Sequence, residues 1–221
     1  MHNSLQISFK SFDAAIFDMD GTIIDNMSYH KKAWVEFAKR HEFSVTDEDF
    51  RERFSGKKND QILRGIFGEN LSDDDIKHYG DEKEAIYREL YSLDIKPIEG
   101  LIGVLGSLQQ AGKKIAVATT APKENRDFGF HALGLQSVFD AILGEEHVTH
   151  GKPHPEIYLE TAKQLGIEPY RCLVFEDTPS GVASGKAAGM TVVGILTGHK
   201  QADLQEADFH INDFRDVSFY E

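Results

Sequence analysis

Five short apolar runs punctuate this chain, at residues 14–17, 115–118, 141–143, 172–175 and 191–196, with a weaker sixth at 209–211. Each is too short for an ordinary helix and too apolar for an exposed loop. That leaves strands buried on both faces, as in a parallel sheet. Between the runs, residues 99–111, 123–133, 155–165 and 178–188 carry helix-like patterning. Gly112, Gly134, Gly166 and Gly189 follow these segments, where a helix end favours a left-handed residue. Strands alternating with helices define an α/β fold, a doubly wound parallel-sheet core of Rossmann-like type. A length of 221 residues suits one such core with a smaller insertion.

The alternation breaks once. The first and second runs are separated by residues 18–114, although only the helix at 99–111 is needed for that crossover. The remainder reads as helix throughout. Tyr29, Ala33, Phe37 and Ala38 share one face of a first helix. Thr46 starts a second, with Asp47, Glu48 and Asp49 in its first turn. Asn59-Asp60 starts a third, and Ser72 precedes a fourth that runs to Tyr91. The expected division is a catalytic core of residues 1–26 and 95–221, with a helical cap of residues 27–94 between them. The hinges would lie near Asp25-Asn26 and residues 94–97.

A formal net charge of −13 disfavours nucleic acid and anionic membranes as partners. Any phosphate-binding site on such a chain must supply its own local positive charge. The single cysteine, Cys172, falls inside an apolar run, so no internal disulfide is expected and the thiol reads as buried core. Residues 1–10 lack the apolar stretch of a signal peptide, and no run is long enough to span a membrane. A cytoplasmic protein is expected, as a monomer or weak homo-oligomer.

Chemistry-bearing residues follow four of the strands. In a parallel sheet this is where ligands sit. After residues 14–17 comes Asp18-Met19-Asp20-Gly21. Two carboxylates at a buried strand end are costly unless something binds them. One Asp can act as a nucleophile toward phosphorus, and a second two residues on can protonate the leaving oxygen and then activate water. Thr119-Thr120 ends the next run, where hydroxyls and backbone N–H groups can hold phosphate oxygens; alone, the pair is ordinary strand chemistry. Gly151-Lys152-Pro153 places a lysine on a stiff loop, able to neutralise both a phosphate and Asp18, although most loop lysines are simply solvated. Glu176-Asp177 ends the run at 172–175. With Asp18 and the backbone carbonyl of Asp20 these acids make an all-oxygen site suited to Mg²⁺. His147, His150 and His154 lack a fixed ligand spacing, which argues against zinc or iron. Residues 181–187 fall one residue short of a P-loop, and no strand is followed by G-x-G-x-x-G.

In this order the four clusters resemble the motifs of the haloacid dehalogenase superfamily of phosphotransferases, and the resemblance covers essentially the whole chain. It implies Asp18 as nucleophile, Asp20 as acid/base, Thr119 and Lys152 as phosphate-holding catalytic residues, and Mg²⁺ held by Asp18, Asp20 and Asp177 with Glu176 close by. Within the superfamily, Asp25-Asn26-Met27-Ser28-Tyr29-His30 and Ala33-Trp34 resemble the first cap helix of the β-phosphoglucomutase-like branch. The loop Ser55-Gly56-Lys57-Lys58 and Lys83 resemble its substrate-contacting cap residues. Asn26, His30, Lys57, Lys58, Lys83 and Thr120 are the implied substrate-binding residues. Two departures bear on activity: Asn59 stands where mutases of the branch carry arginine, and Asn26 where they commonly carry threonine. The expectation is therefore a Mg²⁺-dependent phosphatase of a small phosphorylated metabolite, a sugar phosphate. β-Phosphoglucomutase is the alternative, and a non-catalytic phosphometabolite-binding protein is a third reading that the intact set of acids and lysine opposes.

Overall fold

The computed structural model describes residues 4–54 and 57–221. Six strands make one sheet: β2 (Ala14–Phe17), β3 (Lys114–Ala118), β4 (Ala141–Leu143), β5 (Cys172–Glu176), β6 (Thr191–Ile195) and β7 (Phe209–Ile211). All neighbours pair in parallel, in the order β4-β3-β2-β5-β6-β7. The six runs legible in the sequence are these six strands. β2 and β5 are wholly buried, which explains their unbroken apolar character. Strand alternation splits β2 between two cores. Ala15 and Phe17 face one, and Ala14 and Ile16 face the other. Phe17 stacks on Phe175 of the neighbouring strand at 4.8 Å between ring centroids.

The register positions the chemistry. Phe17 lies opposite Val117 on one side and Phe175 on the other. The residues just beyond these strands therefore emerge together at the point where the strand order turns from β3 to β5.

Four helices are inserted after β2: α1 (Met27–Arg40), α2 (Asp47–Asp49), α3 (Asn59–Phe67) and α4 (Asp73–Tyr91). The helix expected from Thr46 is a single turn that continues as a π-helical turn over Phe50–Phe54. Thr46 and Asp49 form a reciprocal capping box there. Trp34, Phe37, Phe54, Ile62 and Leu63 fill the interior of the insertion. They belong to the same contiguous apolar cluster as Phe17 and Phe175, so the insertion is docked on the core. The helices α5 (Leu101–Gln110), α6 (Lys123–Leu133), α7 (Glu156–Leu165) and α8 (Pro179–Ala187) flank the sheet.

One pairing is not legible in the sequence. β1 (Leu5–Ser8) and β8 (Val217–Tyr220) form a separate two-stranded parallel sheet that joins the two ends of the chain. Both strands are half-exposed, so neither reads as an apolar run. Among the described residues, no helix is long and apolar enough to cross a membrane.

Candidate active site

Lys152 lies on the loop between β4 and α7, and its side chain is 3 % exposed. That loop is tied down by Glu156, whose carboxylate accepts from the backbone N–H groups of Thr149 and His150, both at 2.9 Å. His150 and His154 gather around the same carboxylate on the exposed side, and His147 does not join them. The three N–H bonds of Lys152 go to Asp18 Oδ1 at 2.6 Å, Glu176 Oε1 at 2.5 Å and the carbonyl of Ala118 at 3.1 Å. Burial alone would lower the Lys152 pKa, but the two carboxylates hold it above its ordinary value.

Asp18, Glu176 and Asp177 offer oxygens within 4.8 Å of one another, and all three are buried. Burial pushes the Asp18 carboxyl up to about 8, against the pull of Lys152 and with the repulsion of Glu176 and Asp20. Asp177 is raised well above the ordinary range by burial, then by Glu176 and Asp18. Its Oδ2 atom is buried and has no hydrogen-bond partner. Space beside that oxygen is kept by Gly21, at φ 74°, where a Cβ would lie 2.2 Å from Asp177 Oδ2. Crowded acids, an orphaned carboxylate oxygen and an all-oxygen donor set fit a hard divalent cation such as Mg²⁺.

The adjacent acids Glu176 and Asp177 do different work. Glu176 Oε1 accepts from Lys152 and from the Tyr158 hydroxyl at 2.8 Å. Its Oε2 accepts from the backbone N–H groups of Asp177 and Thr178 and from the Thr178 hydroxyl at the start of α8. Gly181 makes room, since a Cβ there would fall 1.9 Å from the Glu176 carboxyl carbon. Glu176, expected near the metal, thus has its oxygens committed to Lys152, Tyr158 and a helix N-terminus.

The contact expected of Asp20 with the metal is its backbone carbonyl; its side chain is outside the oxygen cluster and turns toward the insertion. There Asp20 Oδ1 accepts from Asn26 Nδ2 at 2.6 Å and Oδ2 faces His30 Nε2 at 3.6 Å. Burial would raise the Asp20 carboxyl, but His30 and the Asn26 amide outweigh it, and the net position is below the ordinary value. Lys83 Nζ lies 3.0 Å from His30 Nδ1. An ammonium only donates, so Nδ1 accepts and the ring proton sits on Nε2, facing Asp20. The Tyr87 ring stacks under His30 at 3.9 Å.

The remaining expectations divide. Thr119 is buried, and its hydroxyl oxygen accepts from the Ala121 N–H at 3.1 Å, leaving its proton to donate into the cleft. Thr120, His30, Lys57, Lys58 and Lys83 line the same cleft as Asp18, Asp20 and Lys152. Lys58 lays its aliphatic stem against Gly151, next to Lys152. Lys83 is 2 % exposed. Asn26 does not line the cleft; it is fully buried, accepts from the Gly21 N–H and donates to Tyr87. Its partners make it a support for Asp20. Ser55 and Gly56, the first half of the expected cap loop, lie outside the described residues. The sequence reading missed Tyr158, Tyr87 and Glu84. Tyr87 stands four residues beyond Lys83 on one helix, a spacing that could have revealed it.

Residues 15–195 match the sequence family described as haloacid dehalogenase-like hydrolase. Fructose-1-phosphate phosphatase YqaB of Escherichia coli (strain K12) is 31 % identical over 187 residues, covering 85 % of this chain and 98 % of that protein. Beta-phosphoglucomutase of Bacillus subtilis (strain 168) is 31 % identical over 203 residues, covering 86 % of this chain and 87 % of that one. Among solved structures, a HAD hydrolase of family IA, variant 3, from Entamoeba histolytica superposes with a TM-score of 0.86 at 32 % identity, covering 94 % of this chain and 96 % of that chain.

Proposed function

The chain belongs to the haloacid dehalogenase-like hydrolase family, and from that premise we propose that it is a Mg²⁺-dependent phosphatase acting on a small sugar or sugar-alcohol monophosphate. The observation that carries this reading is the buried set Asp18, Asp177 and Lys152, in which one carboxylate oxygen is left for a cation and an ammonium stands beside the Asp18 carboxylate. Asp18 and Asp177 would hold Mg²⁺, which when bound supplies charge neutralisation for the phosphoryl oxygens.

Lys152 has all its protons engaged, so a phosphoryl oxygen reaches it only by displacing a present partner. Exchange of the Asp18 contact frees that carboxylate oxygen to attack phosphorus. The Thr119 hydroxyl donates to a second phosphoryl oxygen. As the Asp18 O–P bond forms, the bond from phosphorus to the sugar oxygen breaks, and Asp20 gives that oxygen its proton. Water then attacks the aspartyl-phosphate and passes its proton to Asp20, releasing phosphate and restoring Asp18. Asp20 is held on the ionised side, the state needed for this second half. A dianionic phosphate beside it raises its proton affinity for the first half.

The test is a panel of hexose and hexitol monophosphates assayed for phosphate release with Mg²⁺ and with chelator. Mg²⁺-dependent release is expected from at least one, and none from any would overturn the reading. The similarity to a beta-phosphoglucomutase keeps a second reading alive, in which a sugar receives the phosphoryl group instead of water. With β-glucose 1-phosphate and a trace of the bisphosphate, glucose 6-phosphate accumulating faster than free phosphate would favour the mutase.

A further inference from the structure

The contacts of Asp20 do not end at His30 and Lys83. They continue through a buried carboxylate that nothing above uses. Glu84 follows Lys83 on α4 and is 5 % exposed. Its Oε1 accepts from Lys83 Nζ and from Asn59 Nδ2, both at 2.8 Å. Its Oε2 accepts from Asn125 Nδ2 at 2.7 Å. Asn125 lies in the first turn of α6 on the core, is fully buried, and in turn accepts from Arg88 Nη1 of α4 at 2.7 Å. The polar chain thus begins on the core at Asp20 and crosses to the insertion at His30. It runs through Lys83 and Glu84 and returns to the core at Asn125.

We propose that Asn125 is a positioning residue for the proton-transfer work of Asp20, acting through Glu84, Lys83 and His30, so that the acid is assembled only while α4 is docked on α6. The inference rests on the phosphatase reading. Its physical basis is the buried Lys83 ammonium. Apart from His30, its polar contact is the Glu84 carboxylate, with the Trp34 ring 5.1 Å away. An ammonium so enclosed keeps its place only while its counter-charge stays fixed. Asn59 and Asn125 fix that counter-charge from the two sides, and among the described residues only Asn125 does so from the core. Undocking α4 from α6 strips Oε2 of its donor and lets the Glu84–Lys83 pair rotate away from His30. The His30 ring is then free to turn, and the hydrogen that faces Asp20 is lost. Asn125 touches no reacting atom; its effect is on geometry at a distance.

Leaving-group dependence separates this role from a merely structural one. A sugar phosphate expels a basic alkoxide and needs the proton from Asp20. p-Nitrophenyl phosphate expels a stabilised phenolate and does not. kcat/KM reports the steps through leaving-group release, so the water step does not enter. For Asn125→Ala, kcat/KM for the best hexose or hexitol monophosphate should fall about 30-fold, a partial loss that stays below the ~10²-fold or more of removing the proton-transfer group outright. For p-nitrophenyl phosphate it should fall less than about 3-fold. The double variant Glu84→Gln with Asn125→Asp keeps a donor and an acceptor across the α4–α6 contact and keeps a carboxylate near Arg88, but it takes the negative charge away from Lys83. It should still fold, as its far-UV circular dichroism would show, and show the same selective loss. Equal losses for both substrates, no loss for the sugar phosphate, or full sugar-phosphate activity in the double variant would each overturn the proposal. If the wild-type chain turned over neither substrate with Mg²⁺ present, the phosphatase reading would fall and this inference with it.

Discussion

On the core side of the cleft, three buried carboxylates, Asp18, Glu176 and Asp177, share one ammonium, Lys152, and one carboxylate oxygen has no partner. On the side of the insertion, Glu84 faces Lys83, and both of its oxygens accept from nitrogen donors. Burial acts on both groups, with opposite outcomes. Asp18 and Asp177 are pushed above the carboxylate range, whereas Glu84 is held down at about 2 by Lys83 and Asn59 despite its burial. A half whose charges are unbalanced holds stored electrostatic cost that a cation and a phosphoryl group relieve on binding. The Glu84–Lys83 pair, satisfied internally, has little charge left to offer a ligand, and what it supplies is rigidity.

That contrast can be broken at several points. Asp18→Asn removes the nucleophile and should lower turnover by ~10⁴-fold or more, with the protein still folded. Asp20→Asn leaves phosphorus attack intact but removes the proton carrier. A loss of about 10²- to 10⁴-fold is expected, larger for sugar phosphates than for aryl phosphates, and steady-state assays on both check it.

Asp177→Asn sharpens the comparison through stability. The folded pKa of Asp177 is raised, so stability present below about pH 4 is lost as pH rises above it. Without divalent cation at pH 7, the variant should therefore be more stable than wild type, with a higher thermal midpoint. Excess Mg²⁺ should stabilise wild type and leave the variant unmoved, because only wild type keeps the full donor set. Glu84 has the reverse sign. Its folded pKa is depressed, so its contribution is present above about pH 4.5 and lost as pH falls toward 2. Denaturation of wild type against Glu84→Gln should show the advantage of the wild type shrinking as the pH falls from 5, by roughly 3 kcal/mol over the span to pH 2.

The two halves were also unequally legible in the sequence. Asp18, Thr119 and Asp177 each follow the buried end of a strand directly, and a parallel register brings strand ends together whatever the side chains are. Lys152 stands on a loop fixed by Glu156, and its position follows once β4 and α7 are known. What the core sequence does not reveal is the division of labour in Glu176-Asp177. Two adjacent acids look alike on paper, yet strand alternation sends one down to Tyr158 and the start of α8 and leaves the other at the cleft. In the insertion, helix periodicity finds the buried face of α1 but not its partners. Asn26 as a support for Asp20, and Asn125 as the far end of the Glu84 contact, depend on how four helices dock on a sheet. That is a long-range event that no local pattern encodes. The β1–β8 pair is hidden for the same reason, since Leu5 and Val217 meet across nearly the whole chain.

The central claim is that the unbalanced core half exists to pass a phosphoryl group through Asp18. Rapid quenching with ³²P-labelled acetyl phosphate tests it most directly. The account predicts Mg²⁺-dependent label that is released by hydroxylamine and maps to the peptide containing Asp18. Label that is absent, independent of Mg²⁺, or attached to any other residue would contradict it.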